Sequence, residues 1–472
     1  MWMNTSTVGS SITRRTMLGG FAIGAGAVLA AACGGATGTM MEEEKPAEQM
    51  EEKQAEAAPA PPEEVSILYL TYTRPARNEA EQALYGGFQE ANPGITLDIK
   101  IVDGGGTGVR QNIPILFAAG TPVGLFENTW GTWLQFVDGD LIAPLTPLMS
   151  RDGINPYETF IAEGVDFVSN QGVTWGFPAS MSVDTWAYNK NIFDEAGVPY
   201  PPSDPADESW TMEAYIDAME KLTKGTEQFG MRRGYTGFNT FGIGDGTFFG
   251  GLAWDAENNK ATMNNDHYVQ GINFWIDIVD KFRVMPTGDE HAAIVGGRSG
   301  HPFFTTGAFG ISVMFVVPPE AKEAAFDWGI GALAYTGEPP NHSGRHYTHA
   351  VFAGNTDHID QTWEVMKWFL EGDNGLTYLE VTGHVVTPML HLFDQAKSHW
   401  EAKYDGQVDG TTYFLEAQHT PQSGHGMLKY SNFYDIRDIL QPIYNSVRAR
   451  EASIEEFLPF AETTINEQLK VE

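Results

Sequence analysis

The fold is decided by residues 65–126, which read VSILYLTYTRPARNEAEQALYGGFQEANPGITLDIKIVDGGGTGVRQNIPILFAAGTPVGLF. Asn92, Pro93 and Gly94 stop the first helical pattern, and Pro122 follows the second. The stretch reads as strand, helix, strand, helix and strand at 65–70, 76–91, 95–102, 109–119 and 123–126. This alternation predicts a parallel sheet with crossover helices.

Further helical patterns follow along the chain. The clearest covers 212–222, with Thr211 as its N-cap and Gly225 beyond its end. The other long patterns cover 266–282, 361–370 and 436–447. With 472 residues, the chain is expected to form two or three domains.

Composition limits the possible partners. The chain has 28 Lys plus Arg against 62 Asp plus Glu, a net charge of −34, which argues against nucleic-acid binding and a polybasic membrane surface. Hydrophobic residues make up 42% of the chain, enough for a large core. The single cysteine, Cys33, excludes an intramolecular disulfide and any Cys-based cluster.

The first 33 residues have the pattern of an export signal. Arg14 and Arg15 resemble a twin-arginine motif, and the Gly/Ala stretch at 19–32 is too short and weakly apolar for a membrane span. The stretch ends at Cys33 in a sequence that resembles a bacterial lipoprotein cleavage box, which implies lipidation of Cys33. The alternative is a plain cleaved signal with an incidental cysteine.

Residues 34–64 carry nine Glu, two Lys and four Pro among many Ala. Such a segment buries too little apolar surface to offset the entropy of ordering, so we predict a disordered acidic tether. As a flexible coil it would span about 30 Å.

The remaining chain, nearly all of 65–470, resembles the extracellular solute-binding proteins of ABC transporters, and within them the sugar-binding family that includes the maltose-binding proteins. The most specific match is 187–198, AYNKNIFDEAGV, after Thr-Trp-Gly-Phe-Pro at 174–178. Further matching segments are 88–95, 141–145 and 304–311.

The resemblance implies an α/β fold of two lobes, the periplasmic-binding-protein fold, with hinge crossovers and a ligand cleft between the lobes. The implied crossovers lie near 127–130 and 315–318. Lobe one would then comprise 65–128 and 318–372, and lobe two 129–317 and 373–472.

A sugar is recognised by flat aromatic faces and by planar polar groups that bond neighbouring hydroxyls. Glu127, Asn128 and Trp130 supply such groups after the third predicted strand, and Arg74 follows the first. The resemblance adds Tyr72, a predicted loop at 180–184 containing Asp184, the Gly/Phe-rich segment with Phe241 and Trp254, and finally Phe315 and Tyr434.

Structural roles remain as alternatives for several of these residues. Tyr72 fits a position packed on the first helix, and Asp184 fits a turn carboxylate. Trp254 fits a hairpin closure, and Tyr434 fits helix packing.

No enzyme or metal motif is present in a convincing context. The glycine-rich run 103–108 lacks dinucleotide and Walker spacing, so we predict a loop at the cleft edge. His342, His346 and His349 have zinc-like spacing but lie in a Pro/Gly-rich loop, so neither a metal nor a cofactor is expected.

The sequence therefore predicts a non-enzymatic, monomeric receptor, lipid-anchored outside the cytoplasm. It would capture a sugar or oligosaccharide and deliver it to an ABC permease. The alternatives are another polar solute, such as a glycerol phosphoester or a peptide, or an extracellular carbohydrate-active enzyme.

Overall fold

The structure, a computed structural model, describes most of the chain that follows the predicted tether. The described residues are 64–72, 78–128, 132–232, 241–255, 257–334, 346–419, 427 and 429–471. The predicted signal at 1–33 and all but the last residue of the tether at 34–64 lie outside them.

The strands fall into two sheets and two short hairpins. They are β1 Val65–Tyr72, β2 Ile95–Val102, β3 Leu125–Asn128, β4 Ser169–Asn170, β5 Val173–Thr174, β6 Gly176–Val183, β7 Thr185–Asn189, β8 Phe229–Met231, β9 Trp254–Asp255, β10 Lys260–Ala261, β11 Phe309–Met314, β12 Trp328–Gly331 and β13 His346–Ala353.

The helices pack on and around these sheets. They are α1 Asn78–Ala91, α2 Gly105–Ala118, α3 Leu134–Asp138, α4 Thr146–Arg151, α5 Pro156–Thr159, α6 Ala162–Phe167, α7 Lys190–Ala196, α8 Met212–Leu222, α9 Ile243–Thr247, α10 Asp266–Asp280, α11 Gly288–Val295, α12 Pro302–Thr306, α13 Ile359–Trp368, α14 Asn374–Thr382, α15 Phe393–Lys403, α16 Gly410–His419, α17 Phe433–Arg448 and α18 Ile454–Gln468.

The first sheet has the order β2-β1-β3-β13-β6. Strand β1 is parallel to β2 on one side and to β3 on the other, with Tyr69 opposite Ile99 and Leu125. The parallel strand–helix–strand order predicted for 65–126 is therefore confirmed. The second sheet has the order β12-β7-β11-β8 and mixes parallel and antiparallel pairs.

Local capping explains why the helices near the second sheet begin where they do. Thr211 Oγ1 accepts a hydrogen bond from the N–H of Ala214 at 3.1 Å, and helix α8 has the predicted bounds 212–222. Asn189 Oδ1 likewise accepts from the N–H of Ile192 at 3.3 Å and turns strand β7 into helix α7.

The glycine-rich run 103–108 differs from the predicted loop because helix α2 already begins at Gly105. A Cβ on Gly108 would lie 1.8 Å from the carbonyl oxygen of Asp103, so only glycine lets the helix start so close to β2. The glycines thus permit a tight strand-to-helix turn instead of a long loop.

The chain passes between the sheets at points other than those predicted. Strand β6 pairs with β13 in the first sheet, and β7 pairs with β11 in the second, so the passage is at Asp184 and not near 127–130. The return lies between Gly331, still paired in the second sheet, and His346, paired in the first. The segment 180–184 is predicted as a loop, but residues 180–183 belong to strand β6. Only Asp184 separates β6 from β7, so no turn marks the boundary between the two strands.

One hydrophobic cluster continues from the first sheet into the second and includes Ile67, Val183 and Ile330. Two further clusters lie around α17 and α18, and around α8. In the described part of the chain, no helix has both the length and the apolar character needed to cross a bilayer.

Candidate functional site

Several strands of the first sheet end along the same edge, the one that runs across the strands. Strands β1 and β3 end there, at Tyr72 and Asn128, because they are parallel. The antiparallel pairing of β13 with β6 places Val183, the end of β6, opposite His346 at the start of β13. Ligands of α/β sheets bind beyond such carboxyl ends, so this edge is the candidate surface.

The second sheet presents its own edge to the same connection. Thr185 begins β7 opposite Met314, the last residue of β11, and Arg232 directly follows β8. Strand β12 runs antiparallel to β7, so its end at Gly331 lies at this edge too. Asp184 therefore joins the two edges, and the candidate site is defined as the groups around them.

Glu127 is held by hydroxyl groups at the edge of the first sheet. Its Oε1 accepts from the hydroxyls of Tyr69 at 2.5 Å and Tyr378 at 3.2 Å, and Oε2 accepts from Thr71 Oγ1 at 3.4 Å. The hydroxyl of Tyr85 donates to that of Tyr69 at 2.9 Å. Glu127 is 1% exposed, so this network fixes the orientation of a buried carboxyl group.

Asp184 and Glu416 bring two buried carboxyl groups to the edge of the second sheet. Glu416, on α16, accepts a hydrogen bond from the N–H of Leu333 at 2.7 Å. Burial raises the pKa of Glu416 to about 8, and the nearby charge of Asp184 also raises this pKa. Asp184 itself is 2% exposed. At neutral pH the site therefore holds a largely protonated Glu416 near Asp184.

Helix α16 is anchored on the strand ends by a shared acceptor. The carbonyl oxygen of Met314 accepts from Thr185 Oγ1 at 2.9 Å and from the hydroxyl of Tyr413 at 3.4 Å. The next residue, Phe315, is half-buried. This arrangement fixes Phe315 and Glu416 relative to the same strand end.

Arg232 adds a cation beside β11. Its Nε donates to Ser312 Oγ at 2.8 Å, and burial lowers the pKa of Arg232 to about 10, which leaves it charged at neutral pH. Burial and the charge of Arg232 together lower the pKa of His301 to about 3, so His301 is neutral. Arg232 therefore places a cation next to the site.

Three residues of the site were not predicted: Arg232, His384 and Glu416. Ser180 Oγ and His384 Nδ1 lie 2.9 Å apart, both buried beside β6. Charged residues in amphipathic segments usually face solvent, so no sequence pattern singles out Arg232 or Glu416. The apolar pair Tyr413–Phe414, one helical turn before Glu416, is the one sequence signal that this side of α16 is buried.

The predicted aromatic residues divide into two groups. Tyr72 and Phe315 lie half-buried at the ends of β1 and β11. Tyr434 lies on α17, where the guanidinium carbons of Arg110 and Arg437 are 4.2 Å and 4.6 Å from its ring centroid. Arg110 lies on α2, which packs on β1 and β3, and Tyr434 packs against the same hydrophobic cluster as Tyr72.

Phe241 and Trp254 instead lie in the hydrophobic cluster around α17 and α18. Phe241 packs against Phe433 with ring centroids 5.8 Å apart, and Trp254 packs against Tyr430 at 5.9 Å. Trp254 also begins the hairpin of β9 and β10, the structural role considered from the sequence. Both side chains are buried in the core and present no open face.

The other predicted positions lie outside the described residues or side chains. Arg74, Trp130 and Cys33 are outside the described residues, and of Asn128 only the backbone in β3 is described. His342 and the side chains of His346 and His349 are also outside. In the part of the chain that the structure describes, no group of three or more His, Cys, Asp or Glu side chains is placed to hold a metal ion.

Comparison with known proteins identifies the family. The family model of the bacterial extracellular solute-binding proteins matches residues 71–374. A Brucella abortus protein, named as a binding protein, is 31% identical over 34% of this chain and 36% of its own length. The chain thus aligns with about a third of the length of this curated relative.

Solved structures share the fold at low sequence identity. An ABC substrate-binding protein from Listeria monocytogenes in complex with cycloalternan has a TM-score of 0.67 at 17% identity, over 85% of this chain and 98% of that one. The maltose-bound MalE3 of T. maritima has a TM-score of 0.63 at 15% identity, over 85% and 98%. UgpB from Mycobacterium tuberculosis with glycerophosphocholine has a TM-score of 0.66 at 17% identity, over 84% and 98%.

These likenesses confirm the two-lobed fold predicted from the sequence, and the family match covers most of the chain that forms both sheets. The chain therefore belongs to the bacterial extracellular solute-binding proteins, a family that acts outside the cytoplasm.

Proposed function

We propose that the protein captures a sugar or oligosaccharide between its two sheet edges and delivers it to an ABC permease. The observation that carries this proposal is the meeting of both edges at Asp184, with the oriented carboxyl groups of Glu127 and Glu416 on either side. Glu127 and Glu416, 1% and 0% exposed, hold the strand ends in place, and a sugar would contact Asp184 as the lobes open together with the half-buried rings of Tyr72 and Phe315.

The listerial cycloalternan complex and the maltose-bound protein of T. maritima support a sugar as the ligand. A neutral ligand also agrees with the net charge of −34, which repels anions at long range. Binding between lobes joined at Asp184 would close them by rotation about this connection.

A glycerol phosphoester is the second candidate, favoured by one specific observation. Arg232 is a charged, largely buried guanidinium beside the end of β8, and guanidinium groups suit phosphate oxygens. The mycobacterial UgpB, which was solved with glycerophosphocholine, has the same fold. Arg232→Gln would abolish binding of a phosphoester and would weaken binding of a neutral sugar much less.

A thermal-shift panel separates the candidates, because bound ligand stabilises the folded state by mass action. Neutral sugars and oligosaccharides are expected to raise the melting temperature by several degrees. If only glycerophosphocholine or a peptide raises it, the sugar proposal is wrong.

We also propose that the protein is not an enzyme and that Cys33 carries a lipid anchor. Mass spectrometry of sugars recovered after incubation should show them unchanged, whereas cleaved products would indicate a carbohydrate-active enzyme.

Cys33→Ser should move the protein from the membrane fraction to the soluble fraction of the producing cell, and equal membrane association of both forms would contradict the anchor.

A further inference from the structure

Strand β2 is the outermost strand on one side of the first sheet, away from the strand ends that form the candidate site. All eight of its residues pair with β1, from Val65 opposite Ile95 to Tyr72 opposite Val102. On its other side, no strand among the described residues pairs with it. On that side the N–H of Leu97 donates to Gln89 Oε1 at 2.9 Å, so a further strand would pair with the backbone around Ile99 and Ile101 and would displace Gln89 from Leu97.

One face of this strand is apolar and partly exposed. Ile99 and Ile101 are 36% and 53% exposed, and with Leu97 they line a groove of about 400 Å³ beside helix α1. Edge strands are protected by proline, a bulge, a short length, charged side chains or a covering segment. Strand β2 has no proline, pairs in continuous register and is eight residues long, so its protection is limited to the charges of Asp98 and Lys100 and to the contact of Gln89 with Leu97.

The alternation of residues along β2 makes it complementary to itself. Leu97, Ile99 and Ile101 point to the groove, while Asp98 and Lys100 point to the opposite face. In an antiparallel pair of two β2 strands centred on Ile99, Asp98 of each copy is opposite Lys100 of the other. Each Leu97 is then opposite Ile101, and both grooves meet on one side of the joined sheet.

Other registers are less favourable. A shift of two residues places Asp98 opposite Asp98 or Lys100 opposite Lys100, and like charges directly opposite each other destabilise a sheet. A shift of one residue places Ile99 opposite a charge and turns the apolar face away from its counterpart. The charge order thus selects one twofold arrangement.

We propose that β2 pairs antiparallel with β2 of a second copy of this chain, forming a twofold dimer with one continuous sheet. This differs from the monomer expected from the sequence. The dimer surface lies at the β2 end of the sheet, and β1, β3 and β13 separate it from β6 and Asp184. Dimerisation is therefore independent of the proposed ligand site, and a failure of either proposal leaves the other standing.

Sedimentation velocity of the full-length protein over a wide concentration range tests the proposal. The wild-type protein should show a concentration-dependent dimer. Lys100→Asp or Asp98→Lys alone places like charges opposite each other and should raise the dimer dissociation constant about tenfold or more. Lys470→Asp, an exposed substitution with the same change of net charge as Lys100→Asp, should leave it unchanged.

Mixing the two single variants gives the sharpest result. Asp98→Lys and Lys100→Asp chains are complementary to each other, so an equimolar mixture should recover the dimer, as should the double variant D98K/K100D. Recovery also proves that both variants are folded. A wild-type protein that stays monomeric throughout, or a mixture that associates no better than either variant alone, would overturn the proposal.

Discussion

Val183 and Thr185 belong to different sheets although a single residue separates them. Val183 pairs with His346 in the first sheet, and Thr185 pairs with Met314 in the second. Asp184 between them is thus fixed by strand pairing on both sides and lies at the edge of each sheet. A rotation of one lobe against the other must change the backbone angles near this residue, so lobe movement is expected to pivot there.

The hydroxyl network around Glu127 should stabilise the first lobe. Glu127→Gln replaces one accepting oxygen with an amide donor that faces donating hydroxyls, and should lower the free energy of unfolding by about 1–3 kcal/mol. Urea denaturation measures this loss. Since Tyr378 donates to Glu127, a double-mutant cycle with Tyr378→Phe should show a coupling of at least about 0.5 kcal/mol.

Tyr157→Phe is the matched control, because Tyr157 donates to Asp166 at an exposed position. It should change the free energy of unfolding by less than about 0.5 kcal/mol. Additive losses for Glu127→Gln and Tyr378→Phe would contradict a shared network.

The stability of the second lobe should fall as the pH rises from about 5 to 8. Burial raises the pKa of Glu416 from 4.5 to about 8 and that of Asp245 from 3.8 to about 7. Between the unfolded and folded values, the folded state binds more protons than the unfolded state, so the free energy of unfolding decreases with pH. Melting temperatures measured across this range should therefore decline.

Glu416→Gln keeps the acceptor for the N–H of Leu333 and removes the titration. Its melting temperature should depend less steeply on pH than that of the wild type, with the two curves diverging towards pH 8. Curves that stay parallel would show that Glu416 does not titrate in this range.

The contact between α9 and α10 depends on Gly271. A Cβ at this position would lie 2.0 Å from the carbonyl oxygen of Asp245 and 2.9 Å from the backbone nitrogen of Gly246. Gly271→Ala should therefore destabilise the protein by about 2 kcal/mol or more, although helix propensity alone favours alanine by about 1 kcal/mol.

Gly288→Ala is its control, because nothing lies within 4 Å of a Cβ there. It should be neutral or slightly stabilising in the same denaturation experiment. A Gly271→Ala variant as stable as the Gly288→Ala variant would mean that the two helices separate at little cost.

Local signals made much of the fold predictable. The N-cap Thr211 and the apolar periodicity fixed helix α8, and the alternation of 65–126 fixed the parallel order around β1. Strand β6 was missed because it is buried on both faces, contains two serines and continues into β7 without a turn. No local pattern distinguishes such a strand from a loop.

The site was less predictable because it depends on contacts between distant segments. Glu127 lies at the end of a strand that the sequence predicts, and the family resemblance points to Asp184, whereas Glu416 reaches the edge from a helix more than two hundred residues later. Phe241 and Trp254 had suitable side chains for a sugar, yet the cluster around α17 buries them. Which face of a segment meets the core is decided by tertiary packing.

The most direct test of ligand capture at the meeting of the two sheets is calorimetric titration of the wild type, Asp184→Asn and the exposed control Asp289→Asn. For the sugar that raises the melting temperature most, the wild type and the control should bind one ligand per chain with equal affinity. Asp184→Asn should bind about tenfold to a hundredfold more weakly, the loss expected for a hydrogen bond to a charged group. Equal affinity in all three proteins would contradict a binding site at Asp184.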